Sequence, residues 1–141
     1  MKSMKTINNT NSGAYVLIIN DQSKLMRNMA FLLEVAGLHT ITASSSEEIA
    51  QVLAQQTPDL ILCDVDMPSF DGYNALRRIH NDRRYNHVPF IVMSSSYELH
   101  DLMYALDLGA AEYLPKPFDA YDLIDAIRDT LGQSVAYRAA S

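Results

Sequence analysis

The chain has 141 residues, enough for one domain of ordinary size and too few for two. Its composition, 48% hydrophobic and 20% charged, is that of a globular domain and excludes a collagen-like or compositionally disordered chain. With 11 Lys and Arg against 17 Asp and Glu, the net charge of −6 argues against direct binding of nucleic acid through bulk charge.

In chain order, residues 1–13 (MKSMKTINNTNSG) are polar and read as a flexible N-terminal tail; without an apolar h-region they are not a secretory signal. Val16–Ile19 (VLII) is a continuous apolar run, the pattern of a strand covered by helices on both faces. Leu25, Met26, Met29, Leu32, Leu33 and Ala36 then recur at helical spacing, with Gly37 as the stop. His39–Ala43 alternates as an edge strand does. Ser45 and Glu48 form a capping box ahead of Ile49, Val52 and Leu53.

Thr57-Pro58-Asp59 punctuates the entry to a second apolar run, Leu60–Cys63 (LILC). Asp71-Gly72 reads as turn chemistry, with the glycine supplying backbone freedom, and a third helix follows with Leu76 and Ile79. His87-Val88-Pro89 leads into Phe90–Met93 (FIVM). A fourth helix carries Leu99, Leu102, Met103 and Leu106 and stops at Gly109. Glu112–Leu114 is a brief strand. Asp119 caps a fifth helix bearing Leu123, Ile124, Ile127 and Leu131.

The four methionines Met26, Met29, Met93 and Met103 fall on apolar faces and read as core. Cys63, the single cysteine, reads as a packed small hydrophobe; no internal disulfide or cysteine-based zinc site can form. Arg77, Arg78, Arg83 and Arg84 read as a solvated face, and the scattered His39, His80, His87 and His100 share no metal-ligand spacing. No run approaches the roughly 18 apolar residues of a membrane span, so the expected location is cytoplasmic. Strand then helix, five times over, predicts a doubly wound α/β domain over residues 14–131, with 132–141 as a C-terminal tail or the start of a linker.

In such a fold, ligands bind beyond the carboxyl ends of the strands. Asn20 and Asp21 follow the first strand, Asp64, Val65 and Asp66 the third, Ser94–Ser96 the fourth, and Pro115, Lys116 and Pro117 the fifth. Carboxylates converging on one edge repel each other unless a cation intervenes. Mg²⁺ suits such a site because it takes only one or two protein carboxylates, waters and a phosphate oxygen. A carboxylate nucleophile beside a metal and a lysine is phosphoryl-transfer chemistry, and the Ser94 hydroxyl can donate to a phosphoryl oxygen.

At this point the chain resembles a known family, the receiver domains of two-component response regulators. The resemblance runs from about Tyr15 to Leu131 and rests on VLIIND at 16–21, LILCDVDMPSFDGYNAL at 60–76, FIVMSSS at 90–96 and EYLPKPF at 112–118. It implies a flavodoxin-like, five-stranded parallel sheet of order 2-1-3-4-5 with five helices. Asp64 would be the phosphoacceptor. Asp21, Asp64 and the backbone carbonyl of Asp66 would be the Mg²⁺ ligands. Lys116 would bind the phosphoryl group, across a cis peptide to Pro117; Ser94 would be the switch hydroxyl and Tyr113 the switch aromatic. Where the family has a second acid after the first strand, this chain has Asn20, a weak ligand through water at most, which should lower Mg²⁺ affinity without abolishing it.

The implied partners are a histidine kinase or a histidine phosphotransfer protein, and a downstream protein met by the fourth helix, fifth strand and fifth helix, a surface that can also pair as a homodimer. If the chain is complete, it must act through that surface, since no output module is attached. No external substrate would be turned over; the domain would catalyse only its own phosphorylation and dephosphorylation. One rival is a pseudo-receiver that binds a partner without phosphorylation. A more distant rival is a haloacid-dehalogenase-type phosphatase, which shares the Asp64-x-Asp66 opening but wants a threonine where Pro68 stands. An EF-hand fails, since its loop wants glycine and glutamate where Ser69 and Ala75 fall.

Overall fold

Strands that are apolar at every position have no face to give to water, and the three such runs form the centre of the sheet. The computed structural model describes residues 13–21 and 24–140, the side chains of Leu25 and of residues 133–140 excepted. It contains β1 (Tyr15–Ile19), α1 (Lys24–Val35), β2 (His39–Ala43), α2 (Ser46–Gln55), β3 (Leu60–Asp64), α3 (Gly72–His80), β4 (Phe90–Ser94), α4 (Leu99–Leu108), β5 (Glu112–Pro115) and α5 (Ala120–Ala140). All pairings are parallel and the order is β2-β1-β3-β4-β5, the doubly wound sheet expected. Among the described residues no helix is long and apolar enough to cross a membrane.

Alternation along each strand divides its side chains between two cores. Leu17, Ile19, Ile61, Cys63 and Val92 pack with Ile49, Leu53, Leu76 and Ile79 of α2 and α3. Val16, Ile18, Leu62, Ile91 and Met93 pack on the other face with Met26, Met29 and Leu33 of α1 and Leu123 and Ile127 of α5. Each fully buried leucine or isoleucine contributes about 1.5–3 kcal/mol of transfer free energy, and this double layer locks the register. Ile19 therefore lies beside Cys63, Asp64 beside Met93, and Ser94 beside Pro115. Four strand ends thus reach a common edge.

The helix termini follow local chemistry. Ser45 caps α2, its hydroxyl accepting from the Glu48 amide at 3.1 Å. The reciprocal half of the box reaches one residue further back than expected, since Glu48 Oε1 accepts from the Ser44 amide at 2.7 Å. At α5 the box is closed by aspartates: Asp119 accepts from the Asp122 amide at 2.8 Å and its own amide donates to Asp122 at 3.2 Å. Gly37 and Gly109 end α1 and α4 with φ of 96° and 114°, values that L side chains avoid.

Several expectations need correction. Met103 is not core: it is 52% exposed, and Leu99 and Leu106 of the same stripe also face water. α4 meets the sheet through Ala105, its one buried residue, because helical spacing fixes a stripe without saying which side it faces. Leu32 of α1 is likewise exposed, beside Phe31 and Val35. Arg77, Arg78, Arg83 and Arg84 are all exposed, as a solvated face should be; on that face Arg77 donates to Asn74 and to the Tyr104 hydroxyl, and Arg84 pairs with Asp82 at 2.8 Å.

The segment read as a C-terminal tail continues α5 through Ala140, consistent with its alanines and arginine being good helix formers. Residues 1–12 and 141, read as parts of the two tails, lie outside the described residues, as does the side chain of Leu25.

Asp71 does more than turn the chain, since its carboxylate accepts from the Asn74 amide at 3.0 Å and caps α3. Gly72 is required for space rather than for backbone freedom. A Cβ built there would sit 2.9 Å from both the Asp64 carbonyl oxygen and Cys63 Sγ. Gly72→Ala should therefore push α3 off the end of β3 and lower stability in urea by about 1–3 kcal/mol; an unchanged midpoint would show that the contact is not tight.

Candidate functional site

The site is built where the end of β3 meets the segment after β5. Asp64 closes β3 and is almost fully buried. A carboxylate in that position needs donors, and it has two. Its Oδ1 accepts from the Asp66 amide at 2.8 Å, and its Oδ2 lies 3.0 Å from Lys116 Nζ. Lys116 leaves β5 just after Pro115, where its amide donates to the Ser94 carbonyl at 2.7 Å, and its peptide to Pro117 is cis, as the KPF motif implied. Burial alone would lower the pKa of this ammonium. The hydrogen bonds and negative charges of Asp64 and Asp66 outweigh that and hold it above its ordinary value.

The Asp66 side chain is the residue that sequence reasoning undervalued. Its Oδ2 lies 3.1 Å from Lys116 Nζ and accepts from the Ser95 amide at 2.8 Å. One carboxylate thus joins the ammonium to the loop between β4 and α4. A D-x-D pattern whose second acid stands two residues beyond the strand end was the available signal. What it lacked was the position of Ser95, set by the pairing of β3 with β4.

Ser94 is buried at the end of β4, and its hydroxyl accepts from the Ser96 amide at 3.1 Å. Ser96 in turn accepts from the Glu98 amide at 3.1 Å and bonds Asp101. Tyr113 on β5 is half-buried and donates its hydroxyl to the Ser96 carbonyl at 2.8 Å. Tyr97, mostly exposed, donates to the Lys116 carbonyl. Sequence reading did not anticipate either tyrosine as a tie to this loop.

Asn20 and Asp21 leave β1 beside the end of β3, Asn20 fully buried and Asp21 exposed. Among the described residues, no three His, Cys, Asp or Glu side chains converge as a metal cage. Besides the Asp66 carboxylate held by Lys116 and the Ser95 amide, the donors at this edge are the Asp21 and Asp64 carboxylates and backbone carbonyls, oxygens that fit a hard cation that keeps most of its waters. Cys63, adjacent to Asp64, is buried; desolvation and the nearby charges of Asp64 and Asp71 push its thiol pKa up, so it is no nucleophile.

Comparison with known proteins agrees with this geometry. The family described as "Response regulator receiver domain" matches residues 16–128. A probable transcriptional regulator, ycf27, of Guillardia theta is 33% identical over 116 residues, covering 82% of this chain and 44% of that protein. The chain therefore spans less than half the length of that relative. Among solved structures, a response regulator receiver domain protein from Clostridium thermocellum matches with a TM-score of 0.76 and 32% identity, covering 88% of this chain and 98% of that one. A putative response regulator from Chloroflexus aurantiacus matches with a TM-score of 0.78 and 26% identity, covering 86% and 99%. With the sheet order, the Asp64–Lys116 pair and the matched segment in agreement, the chain belongs to the response regulator receiver domains of two-component systems.

Proposed function

We propose that Asp64 accepts a phosphoryl group from a phosphohistidine of a histidine kinase or histidine phosphotransfer protein, with Mg²⁺ as cofactor. The observation that carries this is the approach of Lys116 Nζ to within 3.0 Å of the Asp64 carboxylate at the end of β3. In the transfer a carboxylate oxygen of Asp64 forms a bond to phosphorus as the phosphorus–nitrogen bond of the donor breaks. The electron pair leaves with the imidazole. Lys116 exchanges its carboxylate contacts for a phosphoryl oxygen and stabilises the charge carried there. When bound, Mg²⁺ would supply further positive charge to offset that of the carboxylates and the transferring group. Asp21, Asp64 and the carbonyl of Asp66 would hold it, with Asn20 contributing at most through water.

Ser94 then donates its hydroxyl to the phosphoryl group, giving up the Ser96 amide. Tyr113, bonded to the Ser96 carbonyl, follows the loop, and the surface of α4, β5 and α5 repacks. No external substrate is turned over. This reading places the domain in the cytoplasm, where phosphodonors of this class are made.

Incubation with acetyl phosphate and Mg²⁺ should add the mass of one phosphoryl group to the intact chain, and Asp64→Asn should abolish it. Loss of the adduct only in Lys116→Ala, with Asp64→Asn still labelled, would move the acceptor elsewhere; no adduct at all would return the chain to the pseudo-receiver reading. Replacing Asn20 by Asp restores an acid at the metal edge. Asn20→Asp should tighten Mg²⁺ binding about 3–10-fold while lowering the stability of the metal-free protein by roughly 2 kcal/mol or more, because the new carboxylate is buried and faces like charge. Urea unfolding with and without millimolar Mg²⁺ reads both effects, and a variant that is equally stable in both conditions contradicts the assignment.

A further inference from the structure

The surface just described as responsive is unusual in its charge. Residues 97–132 hold eight Asp and Glu against two Lys and Arg, so the whole net charge of −6 lies there, and the rest of the chain sums to zero. One of the two cations, Lys116, is committed to Asp64 and Asp66. The same stretch exposes Tyr97, Leu99, Met103, Tyr104, Leu106 and Tyr121, the larger of the two exposed apolar groups among the described residues. Along the open edge of β5 lies a groove of about 380 Å³, lined by the apolar Leu114 and Phe118 together with Glu112, Asp122, Asp125 and Asp129. None of these four carboxylates has an ion-pair partner among the described residues.

We infer that the α4–β5–α5 face docks a basic, amphipathic protein segment, with lysines or arginines flanking apolar side chains, and does not pair with a second copy of itself. This rests on the reading of that face as the responding surface, and names its partner. The apolar side chains call for a protein partner with an apolar stripe. The carboxylates select the sign of the charge around it. Self-pairing about a two-fold axis would set each patch on its own copy, bringing the acids of β5 and α5 against identical acids. α4 offers no Lys or Arg to relieve them. The inference departs here from the homodimer that the family resemblance implied for this face. The acidic surface equally disfavours anionic lipid and nucleic acid.

The test titrates the ¹⁵N-labelled full chain with a helical Lys–Leu amphipathic peptide and with its Glu–Leu counterpart, before and after acetyl phosphate and Mg²⁺, and follows association state by sedimentation. The Lys–Leu peptide should shift amides within 97–129 and bind roughly tenfold more weakly when salt rises from about 50 to about 300 mM. The Asp125→Asn, Asp129→Asn double variant should weaken it roughly 3–10-fold with its unfolding midpoint unchanged, and the chain should sediment as a monomer. Equal binding of the Glu–Leu peptide, shifts confined to α1 or α3, or a dimer dispersed by Leu99→Ser would each overturn the inference. The two readings fail separately. Peptide seated on this face without phosphoryl uptake at Asp64 removes the phosphoacceptor and keeps the partner; uptake at Asp64 with no peptide seated in either state removes the partner alone.

Discussion

A carboxylate taken almost wholly out of water needs a cation beside it, and the packing of this molecule supplies Lys116 to Asp64. At 3.0 Å the attraction is roughly 5 kcal/mol gross at an effective dielectric of 20, and desolvation of both groups returns much of that. The pair is therefore less a source of stability than a constraint on geometry. Asp64 belongs to β3 and Lys116 follows β5, with β4 between them. Every element that sets those strand ends is held to the same edge: the two apolar layers, the cap at Asp71, and the close passage of Gly72 over β3. Removing Lys116 would leave the Asp64 carboxylate buried without its counter-charge, which costs more than the pair contributes, whereas removing Asp64 leaves Lys116 its second partner, Asp66.

The second bond of Lys116 gives the constraint its reach. Because Asp66 shares the ammonium and also accepts from Ser95, the ion pair is joined to the loop that leads into α4. That loop is tied in turn to Ser94 through the Ser96 amide, to Tyr113 through the Ser96 carbonyl, and back to the Lys116 carbonyl through Tyr97. A group that draws Lys116 away from Asp66 thus disturbs a connected set of hydrogen bonds rather than a single contact. These are neutral or singly charged bonds worth about 0.5–3 kcal/mol each, a scale at which one arrangement can replace another without unfolding the domain.

The sequence was legible where one physical rule acts alone. Continuous apolar runs gave β1, β3 and β4, since only doubly covered strands tolerate them. Alternation marked β2 as an edge, and the stops at Gly37 and Gly109 followed from the left-handed conformation. Asp21, Asp64, Ser94 and Lys116 could be placed at one edge because they directly follow strands. Reading failed where two elements had to be known together. Gly72 looked like a flexible turn until Cys63 lay beneath it; Asp66 looked like a loop acid until β4 brought Ser95 to it. The stripe of α4 had the right spacing and the wrong direction, since periodicity defines a face and only packing says what the face meets.

That reversed stripe has a mechanical consequence. An amphipathic helix is held to its sheet by the apolar area it buries. α4 has Leu99, Met103 and Leu106 turned to water and rests on Ala105, the smallest of its apolar side chains. Two further attachments hold it: Leu108 at its end is half-buried against the α2–α3 core, and Tyr104 packs edge-on against Tyr73 of α3 at 4.9 Å between centroids and accepts from Arg77. Helices with little buried area sit at the low end of the local stability scale and are the first to shift. The apolar side chains that α4 offers to a partner are the ones it withholds from the core, so adhesiveness and looseness have a single cause. A substitution that turned the stripe inward would hold the helix more firmly and remove the surface at once. The acids around it then act on a helix held by little buried area, and a basic partner that covers the stripe would also hold that helix, coupling recognition to the position of the loop at Ser95.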